Sequence, residues 1–156
     1  MPGIVDEKLR ELGITLPPAP APAANYAPYA MASGLLFVAG QLPKDESGLA
    51  YAGKLGQDVS LEDGQAAARL CALNILSQAK AALGDLDRIT LCLRLNGFVN
   101  SAPDFTDQPS VINGASDLMG QVLDTSGVHS RIAVGCASLP MGAAVEVDAV
   151  FAVSPA

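Results

Sequence analysis

Two segments of the chain carry apolar residues at the spacing of an amphipathic helix. From residue 61 to 83 the apolar side chains follow a helical repeat, and Gly84 ends the segment. Ser60 precedes it and, with Asp63, resembles a capping box, which satisfies backbone N–H groups at a helix start. A second apolar stripe runs from about Pro109 to Leu123, with proline in the first turn, where a missing N–H is tolerated. Two long helices are therefore predicted.

Shorter apolar segments around these helices are typical of β-strands. Residues 88–99 alternate, which predicts one buried face made of Ile89, Leu91, Leu93 and Leu95. The other predicted strands are residues 29–32, 35–39, a short strand or loop around 49–55, 131–139 and 144–153. The resulting order, β-β-(β)-α-β-α-β-β, lets both helices cover one face of a sheet. The predicted fold class is therefore α+β.

The face of the sheet away from the helices is expected to expose apolar residues. Depending on the register, that face carries either Ala133, Gly135 and Ala137 or Val145, Val147 and Phe151. A contiguous exposed apolar surface usually marks an interface with another molecule. Oligomerisation through the sheet follows as a hypothesis.

The first 26 residues differ in character from the remainder of the chain. Residues 4–13 are typical of a short helix with acidic residues in its first turn and glycine at its end. Residues 16–25, LPPAPAPAAN, predict an extended, polyproline-type segment, called the strap below. An interdomain linker is the weaker alternative, because about a dozen residues are too few for a domain. We expect an N-terminal segment, 1–26, and one domain, 27–156.

Composition and charge exclude several classes of protein. The chain has 16 acidic and 9 basic residues and a net charge of −7, and its cations are scattered, so nucleic-acid binding is disfavoured. The three cysteines show no CxxC spacing, and they are predicted to be buried and inert. No signal peptide and no apolar run long enough to span a membrane is visible, so a cytoplasmic protein is expected.

The sequence offers few candidates for chemistry. No cluster of His, Cys and carboxylates has the spacing of metal ligands, and no phosphate-binding loop or GxSxG motif occurs, so neither metal nor cofactor is expected. The single histidine, His129, lies in a predicted loop. It is either a solvated residue or a general base whose partner the sequence does not reveal.

Arg131 is the most informative charged residue. It opens a strand whose next eight residues, IAVGCASL, are uncharged. Its guanidinium either lies in solvent at the rim or binds an anion, since it pairs with a carboxylate through two hydrogen bonds. Glu146 and Asp148 lie two residues apart on the last strand and point to one side. A carboxylate there could hold a water molecule beside a substrate, or form a salt bridge or a solvated edge.

Two blocks of sequence resemble a known family. Residues 130–153, SRIAVGCASLPMGAAVEVDAVFAV, and residues 27–43, APYAMASGLLFVAGQLP, are similar to the signatures of the RidA/YjgF-like family, the reactive intermediate deaminases. The first block meets the pattern R-x-x-V-x-x-x-x-L-P-x-x-x-x-V-E-[IV]-[ED]-A. The second meets P-Y and [ST]-G-Q-[IL]-P, with Ala39 in place of Ser or Thr. A further match at Asp104, Phe105 and Asn113 extends the resemblance over about residues 27–154, which leaves the N-terminal segment outside and suggests a divergent branch.

The resemblance implies a chorismate-mutase-like fold with a mixed sheet, a homotrimer, and clefts between subunits. It implies hydrolysis of reactive 2-imino or enamine acids to 2-oxo acids and ammonia without a cofactor. By position, Arg131 binds the substrate carboxylate and Glu146 orders the attacking water. Tyr29 lines the pocket, although it could equally be an ordinary strand residue. Asn113 contributes near the pocket or lies on a helix surface.

Two alternatives and one departure qualify this expectation. A trimer that binds small carboxylic acids without turnover would also need Arg131. Members of the family are also called endoribonuclease L-PSP, but the acidic charge of this chain disfavours that activity. Ala133 stands where the core group often has cysteine, so a thiol-dependent activity would be lost.

Overall fold

One mixed sheet forms the centre of the structure. The computed structural model describes residues 2–22 and 24–156. In that part of the chain a five-stranded sheet has the strand order β1-β2-β7-β5-β6; β5 and β6 pair in parallel and the other neighbours pair antiparallel. The elements are α1 (Ile4–Glu11), β1 (Tyr29–Ala32), β2 (Leu35–Gln41), β3 (Lys44–Asp45), β4 (Gly48–Leu49), α2 (Leu61–Leu83), β5 (Ile89–Asn100), α3 (Gln108–Leu123), β6 (Ser130–Cys136) and β7 (Val145–Val153).

Helices α2 and α3 pack on one face of this sheet, as the apolar stripes predict. Helix α2 covers the predicted residues 61–83, and the Ser60 hydroxyl accepts a hydrogen bond from the Asp63 backbone N–H at 3.1 Å. Helix α3 begins one residue before the predicted Pro109. The α+β fold with two main helices on one face of a mixed sheet is confirmed. None of the helices in the described residues has the length and apolar character needed to cross a membrane.

A glycine brings the two helices close together. A Cβ added at Gly114 of α3 would lie 2.1 Å from the backbone oxygen of Gln65 in α2, so only glycine fits. The Gln65 side chain donates a hydrogen bond to the Ser110 carbonyl at 2.9 Å. This contact fixes α3 above the edge of the sheet, where the candidate site lies.

The open face of the sheet, defined here as the face opposite α2 and α3, differs from both predicted alternatives. Val145, Val147 and Phe151 are fully buried in the core beneath the helices. Ala133 packs against that core, and a Cβ at Gly135 would contact side chains on the helix side. The prediction that either set lies on the open face was therefore wrong. The reason is register: the alternate residues of β6 and β7 occupy the open face instead.

Strand β5 also departs from the predicted alternation. Its pairing with β7 shifts between Ile89 and Leu91 and again between Cys92 and Arg94. Each β-bulge inserts a residue and reverses which side chains face the core. As a result Cys92 and Leu95 are buried, whereas Leu91 is 37% exposed. The prediction that Leu91 and Leu93 share the buried face with Leu95 was wrong for this reason.

The N-terminal helix packs onto the rest of the fold. Val5 and Leu9 of α1 join the hydrophobic core. The Asp87 carboxylate accepts hydrogen bonds from the first backbone N–H groups of the helix, at 2.8 Å, where a negative charge is favourable. Lys80 of α2 forms a 2.8 Å salt bridge with Asp6. These contacts fix the point from which the strap begins.

Two of the three cysteines fit the prediction of buried, inert thiols. Cys71 and Cys92 are fully buried, and burial raises the pKa of Cys71 well above its usual value and that of Cys92 to about 12. Both thiols therefore stay protonated at neutral pH and are poor nucleophiles. Cys136 at the end of β6 is only half-buried.

Candidate functional site

Arg131 lies on the edge strand β6 and turns its side chain toward α3. One guanidinium nitrogen, Nη1, donates to the Asn113 side-chain oxygen at 2.8 Å and to the Ser116 hydroxyl at 3.1 Å. The other, Nη2, donates to the Pro109 carbonyl at 3.1 Å. Three oxygens of one helix therefore hold the guanidinium at the end of the sheet. Asn113, which was expected either near the pocket or on a helix surface, thus contacts Arg131 directly.

All three partners of Arg131 are neutral. In residues 2–22 and 24–156 the salt bridges are Lys8–Asp124, Arg10–Glu7 and Lys80–Asp6, so none involves Arg131. A guanidinium has five N–H donors, and these contacts leave donors available. Its positive charge is positioned but not neutralised within the described chain. That arrangement suits the binding of an external anion such as a carboxylate.

His129 belongs to the same hydrogen-bond network, which the sequence did not reveal. Its Nδ1 lies 2.6 Å from the Gly127 carbonyl, which can only accept, so Nδ1 carries the proton. Nε2 is then an acceptor, and it lies 2.8 Å from the Ser116 hydroxyl. Ser116 donates to His129 and accepts from Arg131. The sequence contains only a weak indication of this network: Ser116 follows Asn113 by three residues, which puts both on one helix face.

Glu146 projects from β7 onto the open face of the sheet, beside an irregularity in β2. The pairing of β2 with β7 shifts between Val38 and Gln41. Gly40 lies in that bulge, and a Cβ at this residue would be 2.3 Å from a carboxylate oxygen of Glu146. Burial, with a smaller contribution from the charge of Asp148, raises the pKa of Glu146. The carboxyl is thereby a better base than an exposed glutamate.

Asp148 continues a polar chain across the open face. Asn96, directly opposite in β5, donates to its carboxylate at 2.7 Å, and Arg94 donates to the Asn96 oxygen at 3.1 Å. Burial raises the pKa of Asp148, and the Asn96 hydrogen bond and the Arg94 charge oppose that shift. Asp148 is therefore held in place, whereas Glu146 forms no hydrogen bond to another side chain within the described residues.

A cavity of about 310 Å³ opens beside Glu146. One wall is made by strap residues 20–22 together with Tyr26 and Pro28. Gly40 and Leu42 from the β2 segment also line the cavity. This volume lies at the low end of the range found for small-molecule sites, which is roughly 300–1,000 Å³. The cavity can therefore hold a small ligand or part of one.

Tyr29 does not line this cavity. It pairs with the buried Val38, is half-buried, and packs against the hydrophobic core. Its neighbours Tyr26 and Pro28 occupy the wall instead. A substrate-binding role for Tyr29 stays a prediction.

Within one chain Arg131 and Glu146 are separated. Strand β5 lies between β6 and β7, and the two side chains emerge on opposite faces of the sheet, since Arg131 contacts α3 and Glu146 alternates with core residues. The fold therefore separates two candidate half-sites: an arginine at the β6 edge that contacts neutral oxygens, and a carboxylate beside a cavity. In the described residues no group of three or more His, Cys, Asp and Glu is arranged to hold a metal ion.

Comparison with known proteins identifies the class to which this fold and these half-sites belong. The model of the family described as "YjgF/chorismate mutase-like, putative endoribonuclease" matches residues 6–152. The chain belongs to this family, as its resemblance indicated. The match begins at residue 6, so it includes most of α1 and the whole strap.

Similar proteins occur in a protozoan and in bacteria. Protein TCP17 of Trypanosoma cruzi is 54% identical over 148 residues, which cover 94% of this chain and 92% of that protein. A crystal structure of a protein of unknown function from Agrobacterium tumefaciens is 50% identical, with a TM-score of 0.90 over 96% of this chain and 92% of that one. A "putative endoribonuclease" from Shewanella oneidensis is 32% identical, with a TM-score of 0.94 over 97% and 100% of the two chains.

Proposed function

We propose that this protein hydrolyses reactive 2-imino or enamine acids to 2-oxo acids and ammonia without a cofactor. The observation that carries the proposal is the guanidinium of Arg131, which is held by three neutral oxygens and has no carboxylate partner in the described chain. A substrate carboxylate would supply the missing negative charge. Asn113 and Ser116 would hold the arginine in place while it binds.

Glu146 is the proposed general base. In the hydrolysis the water oxygen forms a bond to the carbon of the C=N group while Glu146 accepts a proton from that water. The C=N π electrons move to the nitrogen, and Glu146 returns the proton to it, which gives a carbinolamine. The hydroxyl proton is then transferred to the amino nitrogen, the carbon–nitrogen bond breaks, and ammonia leaves as the carbon–oxygen double bond forms. A carboxyl whose pKa is raised by burial holds a proton more readily than an exposed glutamate, so it can accept a proton from water and return it. An enamine would first isomerise to the imine.

The proposed active site lies between subunits of a homotrimer. Arg131 and Glu146 of one chain face away from each other, so a complete site would need Arg131 of one subunit and Glu146 of the next. Two observations support such an assembly. Strand β6 is an edge strand, and the open face presents Phe37 and Ile132, which are 49% and 43% exposed. Burial of this helix-free face against another subunit would remove both side chains from water.

Two alternative functions can be distinguished from imine hydrolysis. A trimer that binds small carboxylic acids without turnover would use Arg131 in the same way but would not need Glu146. An endoribonuclease is named by the family description and by the Shewanella relative. The net charge of −7 does not favour RNA, because binding of phosphates depends on clustered cations.

The test is ammonia release from 2-imino acids generated in the assay by an amino-acid oxidase. Arg131→Ala should lower kcat/KM by roughly 10- to 150-fold, because a hydrogen bond to a charged group contributes about 1.5–3 kcal/mol. Arg69→Ala is the matched control, since Arg69 on α2 also bonds a neutral oxygen, that of Gln121 at 3.3 Å. Wild-type rates equal to buffer would reject hydrolysis. Binding of 2-oxo acids without turnover would then favour the binding protein.

A further inference from the structure

We infer that the cavity between the strap and Glu146 receives the side chain of the substrate, so that the strap selects 2-imino acids with aliphatic or aromatic side chains. This inference rests on the proposed function, because it uses Glu146 to locate the reacting carbon. It assigns a role to the N-terminal segment, and it names the substrate class that the active site prefers.

Residues 16–22 of the strap form a fixed wall rather than a loose cover. Two polar side chains of α2 hold it: the Ser77 hydroxyl donates to the Pro17 carbonyl at 2.7 Å, and the Gln78 side chain donates to the Pro20 carbonyl at 2.6 Å. Ser77 and Gln78 are only 4% and 2% exposed. An extended proline-rich segment makes no hydrogen bonds within itself, and its rings fix φ in advance. Little conformational entropy remains to be lost when a ligand packs against it.

The surface that the strap presents is apolar. Pro20, Ala21 and Pro22 contribute no side-chain donor or acceptor, and Pro28 and Leu42 extend the same surface. Small-molecule sites typically combine such a lining with a few polar groups that fix orientation. Here Glu146 and Lys44 are the charged residues of the lining, while the amides of Gln41 and Gln78 already donate to the Ala39 and Pro20 carbonyls. The cavity thus offers an apolar compartment next to the proposed base.

The position of Glu146 determines which part of the substrate enters the cavity. If its water attacks the C=N carbon, then the carboxylate and the side chain on that carbon point in different directions. The carboxylate must reach an Arg131 that lies outside this cavity, which leaves the cavity to the side chain. An acidic side chain would be repelled by Glu146. Lys44 also lines this cavity, but the carboxylates of Glu146, Asp45 and Glu46 around it outnumber its single positive charge.

Filling the cavity tests the inference. Ala24→Leu places a larger side chain on a residue that lines this cavity, whereas Ala19→Leu changes the same strap at a residue that lines the neighbouring cavity. Both residues are exposed, so neither variant should disturb folding. The measurement is kcat/KM for the imino acids derived from leucine, phenylalanine and alanine.

Wild-type protein should prefer the leucine- and phenylalanine-derived imines to the alanine-derived imine by roughly 10-fold or more, because burying each additional methylene is worth about 1–3 kcal/mol. Ala24→Leu should reduce that preference by a similar factor, and Ala19→Leu should preserve it. Equal wild-type rates for the three substrates, or an unchanged preference in Ala24→Leu, would overturn the inference while leaving imine hydrolysis established.

Binding separates the two ideas if no imine is hydrolysed. Calorimetric titration with 4-methyl-2-oxopentanoate and with pyruvate measures the same selection without turnover. Tighter binding of the branched acid, weakened by Ala24→Leu and not by Ala19→Leu, would support the apolar cavity although hydrolysis had failed. Binding of neither acid, or equal binding of both, would reject the cavity as a side-chain site.

Discussion

Gly40 and Glu146 show how one missing side chain can shape a site. A Cβ at Gly40 would overlap a carboxylate oxygen of Glu146, so glycine allows this carboxylate to lie against the backbone of β2. The backbone of Gly40 is not in the left-handed region, so alanine can adopt its conformation. The carboxylate is the flexible partner in this contact. A substitution at Gly40 should therefore move Glu146 rather than unfold the strand.

Gly40→Ala should accordingly reduce activity without a comparable loss of stability. We expect kcat to fall by about 10-fold or more, since a positioned general base contributes roughly 10²–10⁴ in rate. The free energy of unfolding should change by less than about 1 kcal/mol, as is usual for Gly-to-Ala changes at compatible positions. Gly120→Ala is the control, because its added Cβ meets nothing within 4 Å. Equal effects of the two variants on kcat would contradict this prediction.

The charge of Asp148 should set part of the pH dependence of Glu146. It raises the pKa of Glu146, second to burial, so Glu146 remains protonated to a higher pH than an exposed glutamate. Asp148→Asn should therefore shift the acid limb of the kcat/KM profile toward lower pH. The pKa of Glu146 should not return fully to its ordinary value, because Glu146 is still buried in the variant. Asparagine can still accept the hydrogen bond from Asn96. Asp45→Asn, a change at an exposed carboxylate, should leave the profile in place.

The same pKa shift has a consequence for stability. Since folding raises the pKa of Glu146, the folded state holds the proton more tightly, and this contribution is complete below the ordinary pKa of glutamate. It is lost as pH rises through the raised value. The stability advantage of Asp148→Asn over wild type, if measured by urea unfolding, should therefore be larger at neutral pH than near pH 4. If the difference in unfolding free energy between Asp148→Asn and wild type does not change with pH, the charge of Asp148 does not act on Glu146 in this way.

Among single residues, the sequence indicated candidates for a site but not the contacts between them. Arg131 could be selected because it begins an uncharged strand, and Asn113 because of a family match. The contact of His129 with Ser116 could not be predicted, because it depends on the angle between α3 and the following loop. The overlap of Gly40 with Glu146 likewise depends on the bulge in β2.

Among the elements, α3 determines how Arg131 is presented. Asn113 and Ser116 lie about one turn apart on the helix and both accept from Nη1 of the arginine. Helix α3 is fixed in turn by the close contact of Gly114 with α2. The helix therefore supplies the rigid support that the exposed edge strand lacks.

Ser116→Ala should weaken this support and raise KM more than it lowers kcat. The loss of one hydrogen bond of about 1 kcal/mol predicts a rise in KM of roughly 5-fold, because in the proposed mechanism Arg131 binds substrate but does not react. Ser116→Thr keeps the hydroxyl and should restore KM, which a purely structural role would not require. The steady-state kinetics of both variants check this. A fall in kcat at unchanged KM would show that Ser116 acts in the chemical step instead.

The strands were harder to predict from sequence than the helices. A helical stripe over 23 residues contains many repeats, and α2 lies where the pattern predicted it. In β5 two bulges reverse the pattern within a few residues, and leucines at 91 and 93 fit either face equally well. The face that β7 turns to the helices likewise could not be predicted, because it depends on how β7 pairs with β2 and β5.

For the whole molecule, the important feature is that Arg131 and Glu146 of one chain emerge on opposite faces of the sheet. A site that uses both residues would therefore need a second chain. Neither residue completes a site alone, and the number of subunits is not encoded in any pattern that the sequence displays. An inter-subunit site has a strict consequence for mixtures of two inactive variants. Arg131→Ala retains Glu146, and Glu146→Gln retains Arg131, so a site formed between the two kinds of subunit can be intact.

Co-refolding equal amounts of Arg131→Ala and Glu146→Gln should therefore restore activity. With random assembly in a symmetric ring, each site has about one chance in two of receiving an intact Arg131 and, independently, about one chance in two of receiving an intact Glu146. About a quarter of the sites should therefore be intact. The two variants mixed after separate assembly, and a double variant refolded alone, are the controls and should stay inactive. Failure of the co-refolded mixture to exceed the separate variants would place Arg131 and Glu146 in different functions. Recovery near one quarter would require that each active site takes one residue from each of two chains.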